Sequence, residues 1–257
     1  MMTMEMPRNA FKAALKAGKK QIGIWNAIPH SLSVEMLAGC GYDWILLDTE
    51  HAPLSAPDVL PLLQAVAPYP TSPIVRAGWN DAVEMKRLLD LGAQTILVPY
   101  IQNAEEAAAA AAAVRYPPVG IRGVAGATRA SRFGRVPGYA QKAAEETCLL
   151  VQVETADAAK EIEAIAAVDG VDGIFVGPAD LAASMGYPGQ PAHPEVKAAV
   201  MDAIRRITAA GKPAGFLALD EAYLREAEEA GAQFIAVGLD LTLMRDAALA
   251  TREAWRD

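Results

Sequence analysis

A parallel (β/α)8 barrel is the fold class that this sequence predicts, on three observations. Eight strand-like apolar runs alternate with helix-like segments along the 257-residue chain. The runs are continuous rather than alternating, as expected of strands buried on both faces of a parallel sheet. A phrase of helix, glycine and strand recurs in LAGCGYDWI, LDLGAQTILV and AEEAGAQFIAV, as repeated β/α units would produce. A doubly wound open sheet is the alternative arrangement of the same elements. Residues 1–257 are expected to form a single barrel domain.

The opening segment, MMTMEMPRNAFKAALKAGKK, has the pattern of a short amphipathic helix and no apolar stretch of the kind that marks a secretory signal. QIGIWNA (21–27) is the first strand and Ser31–Ala38, opened by a serine cap, the first barrel helix. YDWILLDTE (42–50) is followed by a helix over Ser55–Ala67 whose Ser-Ala-Pro start suits a helix N-terminus. SPIVRAGW (72–79) leads to a helix over Asp81–Leu91 that stops at Gly92. QTILVPYI (94–101) precedes Asn103–Arg115, which carries seven consecutive alanines, the strongest helix formers. CLLVQVET (148–155), VDGIFVGP (171–178), PAGFLAL (213–219) and QFIAVGLD (233–240) complete the strands. Helices are expected over Ala156–Ala167, Pro194–Ala210, Asp220–Ala230 and Leu241–Trp255. The connection between the fourth and fifth strands is too long for a barrel turn, and its Gly/Arg-rich part points to function or an interface.

A net charge of −8 argues against nucleic-acid or anionic-membrane partners. Arg122, Arg129, Arg132 and Arg135 cluster in the long connection. Its length and glycines suit the positioning of an anionic substrate or a neighbouring subunit better than a nucleic-acid patch. Cys40 and Cys148 read as two buried thiols in a reducing cytoplasm.

The polar residues that interrupt this pattern sit at strand ends, where parallel α/β enzymes keep their chemistry. Glu154 and Asp180 follow successive strands. Two carboxylates with water and a chelating substrate suit Mg²⁺, Mn²⁺ or Co²⁺; capping of the following helices is the other role open to them. His51, at the end of LLDTEH, is placed to act as a general base near neutral pH. Arg76 lies in a buried run, so it either faces a ligand, where its charge suits a developing oxyanion, or pairs with Asp48 or Glu50. One of Asp48, Glu50 and Asp90 is expected to orient His51. Gln152 shares the strand face of Glu154. No lysine stands at a strand's C-terminal end, which argues against Schiff-base chemistry, and neither G-x-S-x-G nor a P-loop is present.

At these residues the chain resembles the HpcH/HpaI aldolases. The resemblance runs from about Gly23 to Ala247 through GYDWILLDTEHAP, IVRAGWN, LLDLGAQTILVPYI, GIRGVAGATRASRFGR, VQVETADA, VDGIFVGPADLAASMGYPGQPAHPEV and FIAVGLDLTLM. It implies a class II pyruvate aldolase on a (β/α)8 barrel, its last helix exchanged between subunits of a hexamer built from dimers. A divalent metal held by Glu154 and Asp180 would bind a 2-oxo acid and stabilise its enolate. His51, in a network with Asp90 and Asp48, would serve as base, and Arg76 would stabilise the enolate oxygen. Gln152 and the backbone of Gly177, Pro178 and Ala179 would seat the pyruvyl group, while Trp25 and Leu217 would shape the aldehyde pocket. GIWNAIPHS and LALDEAYL depart from the family pattern on the aldehyde side, which leaves the acceptor open. A lyase acting on CoA thioesters and a non-catalytic anion-binding barrel are the rival readings.

Overall fold

Eight parallel strands close on themselves in chain order: β1 (Gln21–Asn26), β2 (Trp44–Asp48), β3 (Ser72–Arg76), β4 (Thr95–Val98), β5 (Cys148–Val153), β6 (Gly173–Val176), β7 (Ala214–Leu217) and β8 (Ala232–Leu239). The computed structural model describes residues 3–256. Pairing of β1 with β8 completes the barrel and excludes the open sheet.

Two apolar cores explain why the strands read as continuous apolar runs. Ile45, Leu47, Val75, Ile96 and Val151 point outward into the layer between sheet and helices. Trp25, Trp44, Leu46, Ile74, Leu150, Phe175 and Phe234 fill the barrel interior. The interior packs closely enough to exclude a side chain at Gly23, where a Cβ would lie 2.1 Å from the Trp44 ring.

The expected N-terminal helix is α1 (Ala10–Lys16), and it plugs the end of the barrel where the strands begin. Phe11, fully buried, meets the rings of Trp44 and Phe234 edge-on at 6.2 and 5.7 Å. Lys12 is buried beside it, donating to the carbonyls of Ala144 and Thr147 and lying 3.3 Å from Asp172. With that end closed, only the C-terminal ends of the strands open to solvent.

The barrel helices are α2 (Ser31–Ala38), α3 (Ala56–Val66), α4 (Ala82–Asp90), α5 (Ala104–Ala113), α7 (Ile162–Ala166), α9 (Pro194–Ala209), α10 (Glu221–Glu229) and α11 (Asp240–Glu253). Asp81, Asn103 and Asp220 cap α4, α5 and α10 through their side chains, and Ser55 with Asp58 forms a capping box on α3. The cap of α2 is His30 rather than Ser31, because the imidazole Nδ1 accepts from the Leu32 amide at 3.2 Å. The helix expected over 156–167 is a 3₁₀ turn, Ala158–Glu161, followed by α7, with Glu161 (φ −97°, ψ 8°) breaking it. Two helices have no counterpart in the sequence reading: α6 (Tyr139–Glu146) and α8 (Pro178–Ser184).

The thiol expectation holds for Cys148, which is buried, and fails for Cys40, which is exposed. Cys40 lies in the turn after α2 and reaches only the Met36 carbonyl, at 3.3 Å. Among the described residues no helix is long and apolar enough to cross a membrane.

Candidate active site

Side chains of alternate strand residues face the barrel axis, so the last inward position of each strand lies at the open mouth. Trp25, Asp48, Arg76 and Gln152 occupy such positions on β1, β2, β3 and β5, with Glu154 just past the end of β5. Register pairs Asp48 directly with Arg76 across β2 and β3. Asp48 Oδ1 accepts from Arg76 Nε at 3.0 Å and Oδ2 from Nη2 at 2.6 Å. Arg76 Nη1 also lies 2.7 Å from Glu50 Oε2. The arginine, 6% exposed, therefore pairs with both acids. Of the five N–H groups of a guanidinium, two donate to Asp48, while Glu50 pairs by charge without a hydrogen bond, so donors are left over.

Trp25 supports this pair from below. Its indole Nε1 donates to Asp48 Oδ2 at 3.1 Å, and the Arg76 guanidinium lies over its ring at 4.8 Å. Burial alone would raise the Asp48 pKa, but hydrogen bonds and charge from Arg76, with Trp25 adding, bring it below the ordinary carboxylate value. Glu50 is raised, chiefly by burial, with Asp48 and Asp180 adding to the rise against Arg76 and His51.

His51 projects from the β2–α3 loop with its side chain 66% exposed. Its nearest acid is Glu50, 3.9 Å from Nε2. Asp48 instead accepts from the His51 backbone amide, at 3.2 Å. Asp90 is not brought to this group within the chain. It is the last residue of α4, which descends from the mouth to the closed end of the barrel, and there it accepts from Arg122 Nη2 at 2.9 Å.

Glu154 is 2% exposed, and no cationic side chain pairs with it among the described residues. The Tyr100 amide donates to its Oε1 at 2.7 Å, and Gln152 Nε2 donates to Oε2. Burial foremost, with the charges of Glu50 and Asp180 adding, raises its pKa to about 7. Asp180 stands exposed in the first turn of α8. Gly177, at the turn into α8, is where a Cβ would come within 2.5 Å of Glu154 Oε2. Pro178 and Ala179 open α8 beside it, and Leu217 ends β7, packed against the interior cluster that contains Trp25.

These residues fit a divalent cation. A buried carboxylate is normally paired or coordinates a metal, and Glu154 is unpaired while it faces the charges of Glu50 and Asp180. Gln152 Oε1 is buried without a partner, an acceptor left over in the same wall. Among the described residues no three His, Cys, Asp or Glu side chains converge into a closed cage. Two carboxylates with open positions match ions that keep water and take substrate oxygens.

Tyr100 and Glu50 are the residues that sequence reasoning undervalued. Tyr100 has a left-handed backbone (φ 57°), which turns its amide onto Glu154 and leaves its ring stacked on Trp79 at 5.5 Å. Nothing in PYI signals that conformation. Glu50 precedes His51 in a motif that carries three acid–base groups, and that proximity was the available signal.

Acid–base groups beside a cation-seeking carboxylate, at the mouth of a closed barrel, have the arrangement of a metal-dependent enzyme of the (β/α)8 class. The model of the HpcH/HpaI aldolase/citrate lyase family matches residues 21–247, and the chain belongs to that family. It is 60% identical over 252 residues to the hydroxypyruvate/pyruvate aldolase of Sagittula stellata, covering 98% of this chain and 100% of that protein. It is 57% identical over 237 residues to the 4-hydroxy-2-oxo-heptane-1,7-dioate aldolase of Klebsiella pneumoniae, covering 92% and 89% of the two chains. The crystal structure of a family member from Burkholderia cenocepacia superimposes with a TM-score of 0.92 at 39% identity, over 96% of this chain and 100% of that one. The protein is thus a class II aldolase, a carbon–carbon lyase of a divalent-metal-dependent family.

Proposed function

We propose that the protein cleaves 4-hydroxy-2-oxo acids into pyruvate, or a closely related 2-oxo acid, and an aldehyde, and that it runs the reverse addition. The observation that carries this reading is the unpaired, buried Glu154 carboxylate, acted on by the charges of Glu50 and Asp180, at the same barrel mouth as Arg76 and the exposed His51 imidazole. Names of relatives at 57–60% identity agree with it. Mg²⁺, Mn²⁺ or Co²⁺ held by Glu154 and Asp180 would supply a positive charge that binds the 2-oxo acid and stabilises its enolate.

The chain's own residues do the rest. In the cleavage direction His51 takes the proton of the C4 hydroxyl, and the C3–C4 bond breaks as the aldehyde carbonyl forms. The bonding electrons pass to the 2-oxo acid as an enolate, and proton return to C3 gives pyruvate. Arg76 donors not spent on Asp48 stabilise the enolate oxygen, a contribution of about 3–4 kcal/mol for a well-placed donor. Gln152 and the turn Gly177–Pro178–Ala179 seat the pyruvyl group, and Trp25 and Leu217 border the aldehyde. Glu50, 3.9 Å from Nε2, is the acid nearest the His51 imidazole within one chain, while Asp48 holds the His51 backbone; Asp90 could join only from a neighbouring subunit. The unpaired cysteines suit a reducing compartment, the cytoplasm.

Proton exchange at C3 of pyruvate in D₂O, followed by NMR, tests this without a guess about the aldehyde. Exchange that needs a divalent ion and vanishes in His51→Ala is the expected result. Exchange undiminished after chelation, or none with any ion, would sink the reading.

The assembly reading is a homo-oligomer, a trimer of dimers, in which α11 is exchanged. α11 is tethered at its start, where Asp240 accepts from Asn26 Nδ2 at 2.6 Å and the Ile28 amide at 2.9 Å. Beyond Asp240 it buries nothing on its own barrel and exposes Leu241, Leu243, Met244 and Leu249. A groove of about 460 Å³ lies open on the outer face of β1 and β8, its apolar wall of Ile22, Leu219, Leu224, Ile235 and Val237 bordered by Lys20, Glu221, Arg225 and Glu228. A partner's α11 would fill it. Met244→Glu should shift the mass measured by light scattering toward monomer; an unchanged mass would remove α11 from the interface.

A further inference from the structure

We propose that Trp79 is a positioning residue for the Glu154 carboxylate. Its indole stacks on the Tyr100 ring, and the stack holds Tyr100 in the backbone conformation that aims its amide at Glu154 Oε1. This role rests on the reading of Glu154 as a ligand of the divalent ion. Under that reading the aromatic pair helps to set the affinity for the ion.

Tyr100, at φ 57°, is one of three non-glycine residues with a left-handed backbone among those described. Residues with a Cβ avoid that region, and they persist in it where their surroundings over-determine them. The segment from Tyr100 to Gln102 is stitched to the end of β5 at each residue. The Tyr100 amide donates to Glu154 Oε1 at 2.7 Å, and the Ile101 amide donates to the Gln152 carbonyl at 3.0 Å. Gln102 Oε1 accepts from Thr155 Oγ1 at 2.7 Å, and Gln102 Nε2 donates back to the Tyr100 carbonyl at 3.1 Å. These bonds engage the backbone of Tyr100, and its ring lies on Trp79 with centroids 5.5 Å apart and planes 28° apart. A Tyr100 relaxed to an extended backbone would turn its amide away. Among the described residues, Glu154 would then keep only Gln152 Nε2 as a donor.

A ring can clamp its neighbour only when its own backbone is fixed, and that of Trp79 is. The Gly78 amide donates to Glu84 Oε1 at 3.2 Å, and the Asp81 amide donates to the Trp79 carbonyl at 2.8 Å. Asn80 Nδ2 donates to the Glu106 carbonyl in α5 at 3.1 Å. The Glu106 carboxylate in turn accepts from the Gln102 amide at 2.8 Å. Trp79 is therefore tied to α4 and α5, and α5 to the segment that carries Tyr100. The loops after β3 and β4 close on each other through the stack. Trp79 is 55% and Tyr100 40% exposed, so neither ring fills the core, and truncating either one should leave the barrel folded.

Two measurements on the metal-free protein test this. Mn²⁺ alone is titrated by calorimetry, and hydrogen exchange of the peptide carrying the Tyr100 amide is followed by mass spectrometry with no ion added. Trp79→Ala should weaken Mn²⁺ binding roughly tenfold, the lower end of what losing a partner behind a metal ligand costs. Trp79→Phe, which keeps a flat ring, should restore it. Without metal, Trp79→Ala should speed exchange at Tyr100 roughly fivefold or more, as loss of a modest hydrogen bond predicts. Tyr100→Ala should weaken Mn²⁺ binding as Trp79→Ala does. Tyr100→Gly should not, because glycine enters the left-handed region without a clamp, and in that background Trp79→Ala should add nothing. Exchange at Tyr100 unchanged by Trp79→Ala, or equal losses in Tyr100→Ala and Tyr100→Gly, overturns the proposal. Glu154→Gln separates the two readings. Mn²⁺ binding as tight in that variant as in wild type would place the ion elsewhere and remove Glu154 as its ligand, while the metal-free exchange rates still decide whether the stack holds the Tyr100 amide.

Discussion

Arg76 shows how one residue serves structure and chemistry together. Its charge is enclosed by Asp48, Glu50 and the Trp25 ring, so Arg76→Ala leaves a buried carboxylate, Asp48, beside a half-buried one, Glu50, with no cation between them. The expected outcome is a turnover loss of roughly 10²–10³-fold together with about 3–5 kcal/mol of stability, read from kinetics and denaturant unfolding at pH 7. The pH dependence of that stability loss has a definite sign. Asp48 is held below its ordinary pKa in the folded wild type, so its ion pair stabilises above the unfolded value of about 3.9 and is lost as pH falls through the folded one. In the variant, burial without Arg76 raises the Asp48 pKa, and protonation relieves the destabilisation. The stability gap between the two proteins should therefore narrow as the pH is taken toward 4; a constant gap would remove Asp48 from the account. Arg76, Glu154 and Gln152 were legible in the sequence because a polar residue at the inward end of an apolar strand is costly to bury unless it meets a partner or a ligand. Arg76 meets its two acids and keeps donors to spare, so ion pairing and ligand binding, the two roles open to it in the sequence, coexist in the fold. Asp90 illustrates the opposite case. It stood with Asp48 and Glu50 among the acids expected to orient His51, and the direction of its own helix carries it away from His51.

Elements differ in how openly they announce themselves. The eight strands are evident because burial on both faces demands uninterrupted apolar side chains, and α3, α4, α5 and α10 because their caps are written in Ser, Asp and Asn. α8 has seven residues and buries only Leu181 and Ala182, too little for a helical apolar period to show. Its function is nonetheless positional. The turn from β6 into α8 passes so close to Glu154 that only glycine fits at 177. Gly177→Ala would push Glu154 Oε2 and Gln152 Nε2 away from contacts of 2.5 and 2.9 Å. Displacement of reacting groups by about 1 Å can cost about 10²-fold in rate, and that is the expected fall in kcat. The melting temperature should change little, since the groups displaced lie at the solvent end of the barrel. Full activity in this variant would show that the turn does not position Glu154.

Across the whole molecule, the barrel is closed at one end by α1 and carries its electrostatic imbalance at the other. Holding Glu154 buried beside Glu50 and Asp180 disfavours the folded state in the absence of a cation, because like charges and desolvation act together. A divalent ion that binds only the folded protein must then raise its stability. At an ion concentration 100 times the dissociation constant the gain is about 2.7 kcal/mol, which for a chain of this size corresponds to roughly 5–10 °C in melting temperature. Glu154→Gln removes the buried charge and keeps the shape. The metal-free variant should therefore melt no lower than the metal-free wild type, while the rise on adding Mg²⁺, Mn²⁺ or Co²⁺ should disappear. Differential scanning calorimetry after chelation, with each ion restored in turn, separates these outcomes. An equal rise in wild type and variant would place the ion elsewhere and leave the buried charge at the mouth uncompensated.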